Sequence, residues 1–357
     1  MPGEEFVTLR PEGGQGDPNQ KSGCLVFLVV VLSLLLVSLI AVALCLNYIF
    51  GRLGHFDNPM PSEDGAIVAM PDETETDPQE NLEGLESVDA SDVIFESVDV
   101  LEGDVINIML IGQDRRPGEE RSRSDSMILV TLNREKGTIQ LTSFMRDLYV
   151  QIPGYMDTRL NAAYRYGGTK LMNETFKVNF GLEIDGNVMV DFDEFTEIIE
   201  ILGGVTLEIS DAEAKYMNSR SESGRSFRAG ENYFNADDAL VFTRMRYAAG
   251  GDYGRTDRQR RVLIAIADSF RDADLITIFN VIDQILPHIV TNLSDAQIIE
   301  YATAGMAILS KGGEMQTLRI PQDDAHYNAN IRGMSVLVPN LEMCREDLQE
   351  FIYENEN

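Results

Sequence analysis

The sequence predicts an α/β fold: a mixed central β-sheet flanked by helices on both faces, preceded by one N-terminal transmembrane helix. Three observations carry that reading. Residues 24–50, CLVFLVVVLSLLLVSLIAVALCLNYIF, run without a charge. From Leu53 to Asp114 there is no lysine or arginine, while Asp and Glu recur every few positions. From Val105 onward, short β-rich runs alternate with runs of helical spacing, the pattern of strands and helices that build one layered domain.

Residues 1–23 are polar, with Gly, Pro and Gln, and read as a short cytoplasmic tail. About 20 apolar residues span a bilayer, so 24–50 reads as a membrane helix. A cleavable signal peptide competes, with Ala41-Val42-Ala43 as its processing site. The run is longer than the usual apolar core of about 7–15 residues, which favours a retained anchor. Arg10 and Lys21 precede it and Arg52 follows it, a thin bias toward an inside N-terminus and an outside domain. Residues 51–103, acidic and Pro-containing, read as an extended linker. Cys24 and Cys45 would sit about 31 Å apart in a helix, and Cys344 stands alone beyond them, so no disulfide framework exists.

In the remaining 104–357, three strands are expected at 105–112, 126–133 and 138–144, the last two joined by the turn Arg134-Glu-Lys-Gly137. A helix is expected over 167–181, closed by Gly181. A strand at 187–191, a helix over 191–204 opened by Asp191, and a strand at 205–210 follow. Asn235 opens a helix toward Arg246, and another runs from about Thr256 to Ala273. Helices at 275–287 and 294–311, a strand at 315–320 and a helix over 344–354 complete the chain. The last 80 residues carry no motif with a chemical reading.

The formal net charge is −30, from 59 acids and 29 bases, which argues against a nucleic-acid binder and its basic face. Of those bases 23 are arginine, and 14 of them fall in two windows, 115–165 and 244–261. Anion chemistry is therefore local. The loop 112–127 presents Asp114, Arg115, Arg123 and Asp125 beyond the end of a strand, where open α/β sheets collect ligands. Such carboxylates with arginines suit Mg²⁺ shared with a phosphate; the bland alternative is a surface loop with weak ion pairs. Arg146 beside Asp147, and Arg159 with Asn161 before Gly167-Gly168, extend the candidate set. In Arg255-Thr-Asp-Arg258-Gln259 the i, i+3, i+4 spacing predicts one helix face suited to phosphate oxygens, which arginine grips in pairs. Arg260 and Arg261 are expected to point elsewhere, into solvent. The three histidines lack metal-ligand spacing, and no nucleophile elbow or Walker A loop occurs.

In order along the chain, NIMLIGQDRR, RSDSMILVTLN, MRDLYVQIPG, RLNAAYRYGG, DFDEFTEIIEILGGV, ALVFTRMR and GDYGRTDRQ resemble the LytR-CpsA-Psr family of bacterial cell-envelope enzymes over roughly 105–272. The resemblance implies a Mg²⁺-assisted (or Mn²⁺-assisted) phosphotransferase. It would move a glycopolymer of teichoic acid or capsular polysaccharide type from a polyprenyl-pyrophosphate carrier to peptidoglycan. By motif, Asp114 and Asp125 match metal-associated aspartates, and Arg123, Arg146, Arg244, Arg246, Arg255 and Gln259 match positions that hold the pyrophosphate. Arg115, Arg159 and Arg258 join these as phosphate-binding candidates, and Asp125, Arg123 and Arg146 are the expected catalytic residues. Met145 stands where the family usually has proline, Arg159 where it has lysine, and Arg260 where it has a second glutamine. The lipid tail needs an apolar groove; Phe176, Phe180, Phe192, Phe195 and Ile199 either line it or are ordinary core. Two rival functions stay open: hydrolysis of the same carrier, and a non-catalytic envelope binder or regulator.

Overall fold

A computed structural model describes residues 82–354, except 97, 102, 114–122, 246–250, 272–280 and 282–283, together with a strand at 54–55. The chain divides into two units, 1–52 and 53–357, and the described residues belong to the second. The expected membrane helix at 24–50 lies outside them, as do Asp114, Arg115 and Arg246. Among the described residues no helix is long and apolar enough to cross a membrane.

In chain order the strands are β1 (Gly54–His55), β2 (Glu86–Ser87), β3 (Val105–Gln113), β4 (Ser124–Asn133), β5 (Thr138–Phe144), β6 (Tyr149–Val150) and β7 (Thr158–Arg159). They continue as β8 (Gly186–Asp191), β9 (Val205–Ile209), β10 (Gly230–Phe234), β11 (Val290–Thr291), β12 (Met315–Ile320), β13 (His326–Ile331) and β14 (Met334–Pro339). The helices are α1 (Ala162–Phe180), α2 (Phe192–Ile201), α3 (Asp211–Arg220), α4 (Ala236–Arg244), α5 (Gly251–Ser269), α6 (Asp295–Ser310) and α7 (Leu341–Leu348).

The central sheet has the order β1-β11-β8-β3-β4-β5-β12. It is mixed: β3 pairs antiparallel with β4 and β4 with β5, whereas β8 lies parallel to β3 and β12 parallel to β5. Side chains of these strands alternate between two covered faces. Met109, Ile111, Met127, Leu129 and Phe144 pack with Phe176 and Phe180 of α1. Ile106, Leu132 and Ile139 point the other way and pack with Ala304 and Ile308 of α6. A second core, built from α2, α3, α4 and the antiparallel pair β9–β10, closes around Phe234, Phe242 and Met217, with Val262 of α5 joining it.

Helix ends follow local chemistry. The Asn235 side chain accepts from the amide of Asp238 at the start of α4, and Ser210 forms a reciprocal capping box with Glu213 on α3. Gly181 takes the left-handed conformation (φ 70°) that ends α1. The expected helix over 167–181 is present, its regular turns starting after the glycines: Gly167 and Gly168 (φ 64°) are both non-helical and break α1 into a short stretch from Ala162 and a longer one ending at Phe180. Side-chain-bearing residues avoid the conformation of Gly168, so the pair separates the two stretches. The expected linker also ends sooner than 103. Glu86–Ser87 pair in parallel with β13, and Val88 and Phe95 pack on the small core around Tyr149 and Val336.

Candidate functional site

The site is built where β3 and β4 meet the first turn of α5. The β3–β4 register steps between Gly112 and Gln113: Gly112 faces Ser126, Gln113 faces Ser124, and Asp125 is the residue left over. A bulge of this kind re-aims a side chain at the end of a ladder. Here it supplies the carboxylate that accepts a 2.7 Å hydrogen bond from Arg146 Nη1. Arg146 follows β5 directly after the buried Met145, whose amide donates to the carbonyl of Ile320 on the neighbouring strand. The turn tolerates methionine at that place because its apolar side chain joins the main core.

Around Arg146 three carboxylates converge: Asp125 at 2.7 Å, Asp147 at 3.6 Å and Asp252 at 4.0 Å. Burial works against the charge on Arg146, and Asp147, Asp125 and Asp252 overcome it, holding its proton more tightly than usual. Burial pushes the Asp147 carboxyl up from its ordinary range, against the pull of Arg146 and Arg159. Asp252 also reaches Arg255 Nη1 at 3.5 Å, and Arg255 Nη2 donates to the Asp125 carbonyl at 3.4 Å. The Ser126 hydroxyl donates to Gln259 Oε1 at 3.0 Å. Asp125, Arg146, Asp147, Asp252, Arg255 and Gln259 thus form one cluster of three carboxylates, two guanidiniums and an amide, half-exposed except for the buried Arg255. Its arginines are already ordered by carboxylates that an incoming polyanion can displace or join.

Other expected residues are placed differently. Arg123 immediately precedes β4 and is half-buried. Arg159 is 7% exposed; its Nε and Nη2 grip the Ser335 carbonyl at 3.1 and 2.7 Å, with Asp147 at 3.8 Å. The planar fork, which lysine lacks, spans from the site to β14. Arg244 is exposed at the end of α4 and stacks 4.6 Å from the centre of the Phe192 ring, beside the carboxyl end of β8.

The shared face expected for Arg255, Arg258 and Gln259 is corrected. Arg258 is 1% exposed, donates to the Met245 carbonyl and lies 3.5 Å from Glu213. A helix turns about 100° per residue; Arg255 and Gln259 straddle the direction of Asp125 and Ser126, and Arg258 swings past it into the second core. Nor are Arg260 and Arg261 solvated. Arg260 is buried, and Arg261 binds Glu213 at 2.8 Å and the Glu208 carbonyl. Helix α5 also starts at Gly251, five residues before the expected Thr256, which is what brings Asp252 and Tyr253 into the site's wall.

The last 80 residues take part as well. Tyr253 of α5 is flanked by Arg319 of β12, whose guanidinium lies 4.1 Å from the ring centre, and by His326 of β13 at hydrogen-bonding distance. No sequence motif signals these neighbours.

Of the expected groove residues, Phe176, Phe180 and Ile199 are fully buried in the two cores. A different apolar cleft of about 270 Å³ opens on the sheet face that carries Ser126. Ile108, Leu132, Val188, Leu293, Ile298 and Tyr301 line it.

Asp125, the described member of the expected metal pair, offers hard carboxylate oxygens at the mouth of the site, its side chain 27% exposed. That donor chemistry fits Mg²⁺. Among the described residues no group of three or more His, Cys, Asp or Glu forms a ready metal cluster.

A family model, the LytR_cpsA_psr family, matches residues 68–350. TagU of Bacillus subtilis, described as a polyisoprenyl-teichoic acid–peptidoglycan teichoic acid transferase, is 33% identical over 197 residues, 54% of this chain and 61% of that protein. TagV of the same organism, described likewise, is 32% identical over 255 residues, 69% of this chain and 64% of that one. The chain spans about three fifths of the length of the curated relatives it matches first. The crystal structure of B. subtilis TagV superposes with a TM-score of 0.56 at 29% identity, over 71% of this chain and 98% of that one. A structure described as TagT with bound octaprenyl pyrophosphate lipid shares the fold, with a TM-score of 0.54 at 22% identity over 72% of this chain and 97% of that one.

Proposed function

The chain belongs to the LytR-CpsA-Psr family, and from that premise we propose that it is a membrane-anchored phosphotransferase of the cell envelope. It moves a teichoic-acid-type or capsular glycopolymer from a polyprenyl-pyrophosphate carrier to peptidoglycan. The observation that carries this reading is the convergence of Arg146 and Arg255 on the bulged Asp125, with Gln259 on the adjacent Ser126, at the end of β3 and β4. The naming of TagU and TagV as teichoic acid transferases, and of a TagT structure with octaprenyl pyrophosphate, supports the choice of substrate. An uncharged run at 24–50 supports a single-pass anchor with the N-terminus inside and this domain outside.

In this reading Arg146 and Arg255 bind the non-bridging oxygens of the pyrophosphate, with Arg123 and Arg244 at its margins. Arginine suits the task because its donors are paired and its charge is permanent. The carboxylates that hold these guanidiniums keep them aimed before substrate arrives, so little reorganisation is needed as charge builds on the transferring phosphoryl group. Asp114 and Asp125 would hold Mg²⁺, which would supply charge neutralisation at the phosphates. The apolar cleft under α6 has the chemistry to receive an isoprenoid tail. Arg159, tied to Ser335 and Asp147, braces the site against β14.

The test uses the full chain in detergent with a polyprenyl-pyrophosphate oligosaccharide, Mg²⁺ and peptidoglycan fragments. Joined sugar–peptidoglycan product is expected. Free sugar phosphate would instead establish hydrolysis, and binding without turnover a scaffold. Arg255→Ala and Asp125→Ala are each expected to cut turnover by about 10²-fold or more; activity within a few-fold of wild type overturns the site.

A further inference from the structure

Transfer to a sugar hydroxyl requires a group that takes the hydroxyl proton, and each carboxylate described in the site is held by arginine. Asp125 is bonded to Arg146, Asp147 lies against Arg146 and Arg159, and Asp252 lies between Arg146 and Arg255. In each case a guanidinium already engages carboxylate oxygens. Beside them stands a tyrosine–histidine pair. The Nδ1 of His326 lies 2.8 Å from the Gln322 carbonyl, and its Nε2 lies 2.6 Å from the Tyr253 hydroxyl. A carbonyl only accepts, so Nδ1 donates to Gln322, and in the uncharged imidazole the lone pair of Nε2 faces the tyrosine. The hydroxyl of Tyr253 therefore donates to His326, and its own oxygen lone pairs remain for another donor. No ion pair with a carboxylate engages His326 among the described residues.

We propose that Tyr253 and His326 form the proton-accepting pair for the acceptor hydroxyl, Tyr253 touching the acceptor and His326 acting through it. The assignment rests on the phosphotransfer reading above. As the acceptor oxygen forms its bond to phosphorus, its O–H bond breaks and the proton passes to the Tyr253 oxygen. The original tyrosine proton moves to His326 Nε2, giving an imidazolium whose Nδ1–H stays on the Gln322 carbonyl. The phosphoanhydride bond breaks, and its electron pair leaves with the polyprenyl phosphate. Tyrosine ends neutral, so the step needs no free phenolate.

The surroundings fit this passage. Tyr253 is next in sequence to Asp252, which binds both clamp arginines. Arg319 of β12 lies 4.1 Å from the centre of its ring and is tied to the Pro321 carbonyl and Asp323. The charged groups facing Tyr253 are thus Arg319 and Asp323 from the β12 end, Asp147 from the segment after β5, and Asp252 from its own helix. Burial, with Asp323, Asp252 and Asp147, lifts its hydroxyl above the ordinary value against the pull of Arg319. A tyrosine so placed keeps its proton until the acceptor supplies another.

The experiment measures kcat and the KM for the carrier of transfer by the full chain, with wild type, Tyr253→Phe and His326→Gln compared over a range of carrier concentrations. Glutamine keeps a hydrogen-bonding group toward Tyr253 but has no base. Each variant is expected to lose about 100-fold or more in kcat, the usual contribution of a positioned proton acceptor. The KM for the carrier should be unchanged. Variants within threefold of wild type, or a KM effect without a kcat effect, overturn the pair. Should both variants lose the fold by thermal melting, a solvent deuterium isotope effect on wild-type kcat decides, since its absence overturns the pair. Absence of any turnover by wild type overturns the phosphotransfer reading and this assignment with it, whereas intact turnover in the variants overturns this assignment alone.

Discussion

Arg255 and Arg258 stand three residues apart on α5, both nearly inaccessible at 4% and 1% exposure, yet they belong to different regions with different physics. Arg255 meets Asp252 and the Asp125 carbonyl at the mouth of the site, at separations of 3.5 and 3.4 Å. Arg258 is enclosed: it donates to the Met245 carbonyl and faces Glu213, which also binds Arg261 and the amide of Ser210. One arginine lies among the carboxylates of the candidate site and the other is enclosed by the second core. A high density of arginine on one helix therefore does not measure the size of an anion site.

The sharpest way to break this comparison is to remove each side chain in turn. Arg255→Ala is expected to cut transferase kcat by about 10²–10³, the cost of one lost donor to a developing oxyanion, with a melting temperature close to wild type. Arg258→Ala is expected to act the other way, destabilising the domain by about 3 kcal/mol because Glu213 and the Met245 carbonyl lose a buried partner. Denaturant unfolding of both variants, alongside turnover, decides; a stability loss in the first larger than in the second would invert the assignment.

Smaller effects sharpen it. Hydrogen bonds from Arg261 and Ser210 outweigh burial and hold the Glu213 carboxyl below its ordinary value of 4.5. Its contribution is therefore complete above pH 4.5 and is lost as pH falls through the lower folded value. Glu213→Gln should lower the melting temperature at pH 7, and its gap from wild type should close as the pH falls below 4.5. A gap independent of pH would remove Glu213 from the charge network. Ser210→Ala, which takes away half of the capping box on α3, should cost about 1 kcal/mol and leave kcat unchanged. Loss of activity there would mean that the second core reports directly on the site.

The strands of the sheet were legible because their apolar runs are bounded by turn residues: β5 and β12 match their expected limits, and the Arg134–Gly137 turn joins β4 to β5. Asn235 and Gly181 mark helix ends because capping is local chemistry. Arg258 was misplaced for the opposite reason. Helical spacing gives an angle around an axis, and what lies at that angle is set by Glu213, far away in sequence. The start of α5 was missed because Gly250-Gly251 reads as a loop, although Asp252 in the first turn suits a helix N-terminus. Nothing near Tyr253 announces His326 or Arg319, since Arg319 arrives on β12 at the edge of the central sheet and His326 on β13 of the separate three-stranded sheet.

That edge has a consequence for how such domains are inherited and transplanted. The recognisable signatures end near residue 272, and a borrowed segment ending there would contain each of them. It would also leave β5 with a bare flank where β12 now lies, Arg159 without the Ser335 carbonyl, and Tyr253 without its histidine. The unit that folds is longer than the run of signatures, in keeping with a family match that extends to residue 350. Substitutions in the unsigned stretch would reshape the wall around Tyr253 and leave every signature residue intact.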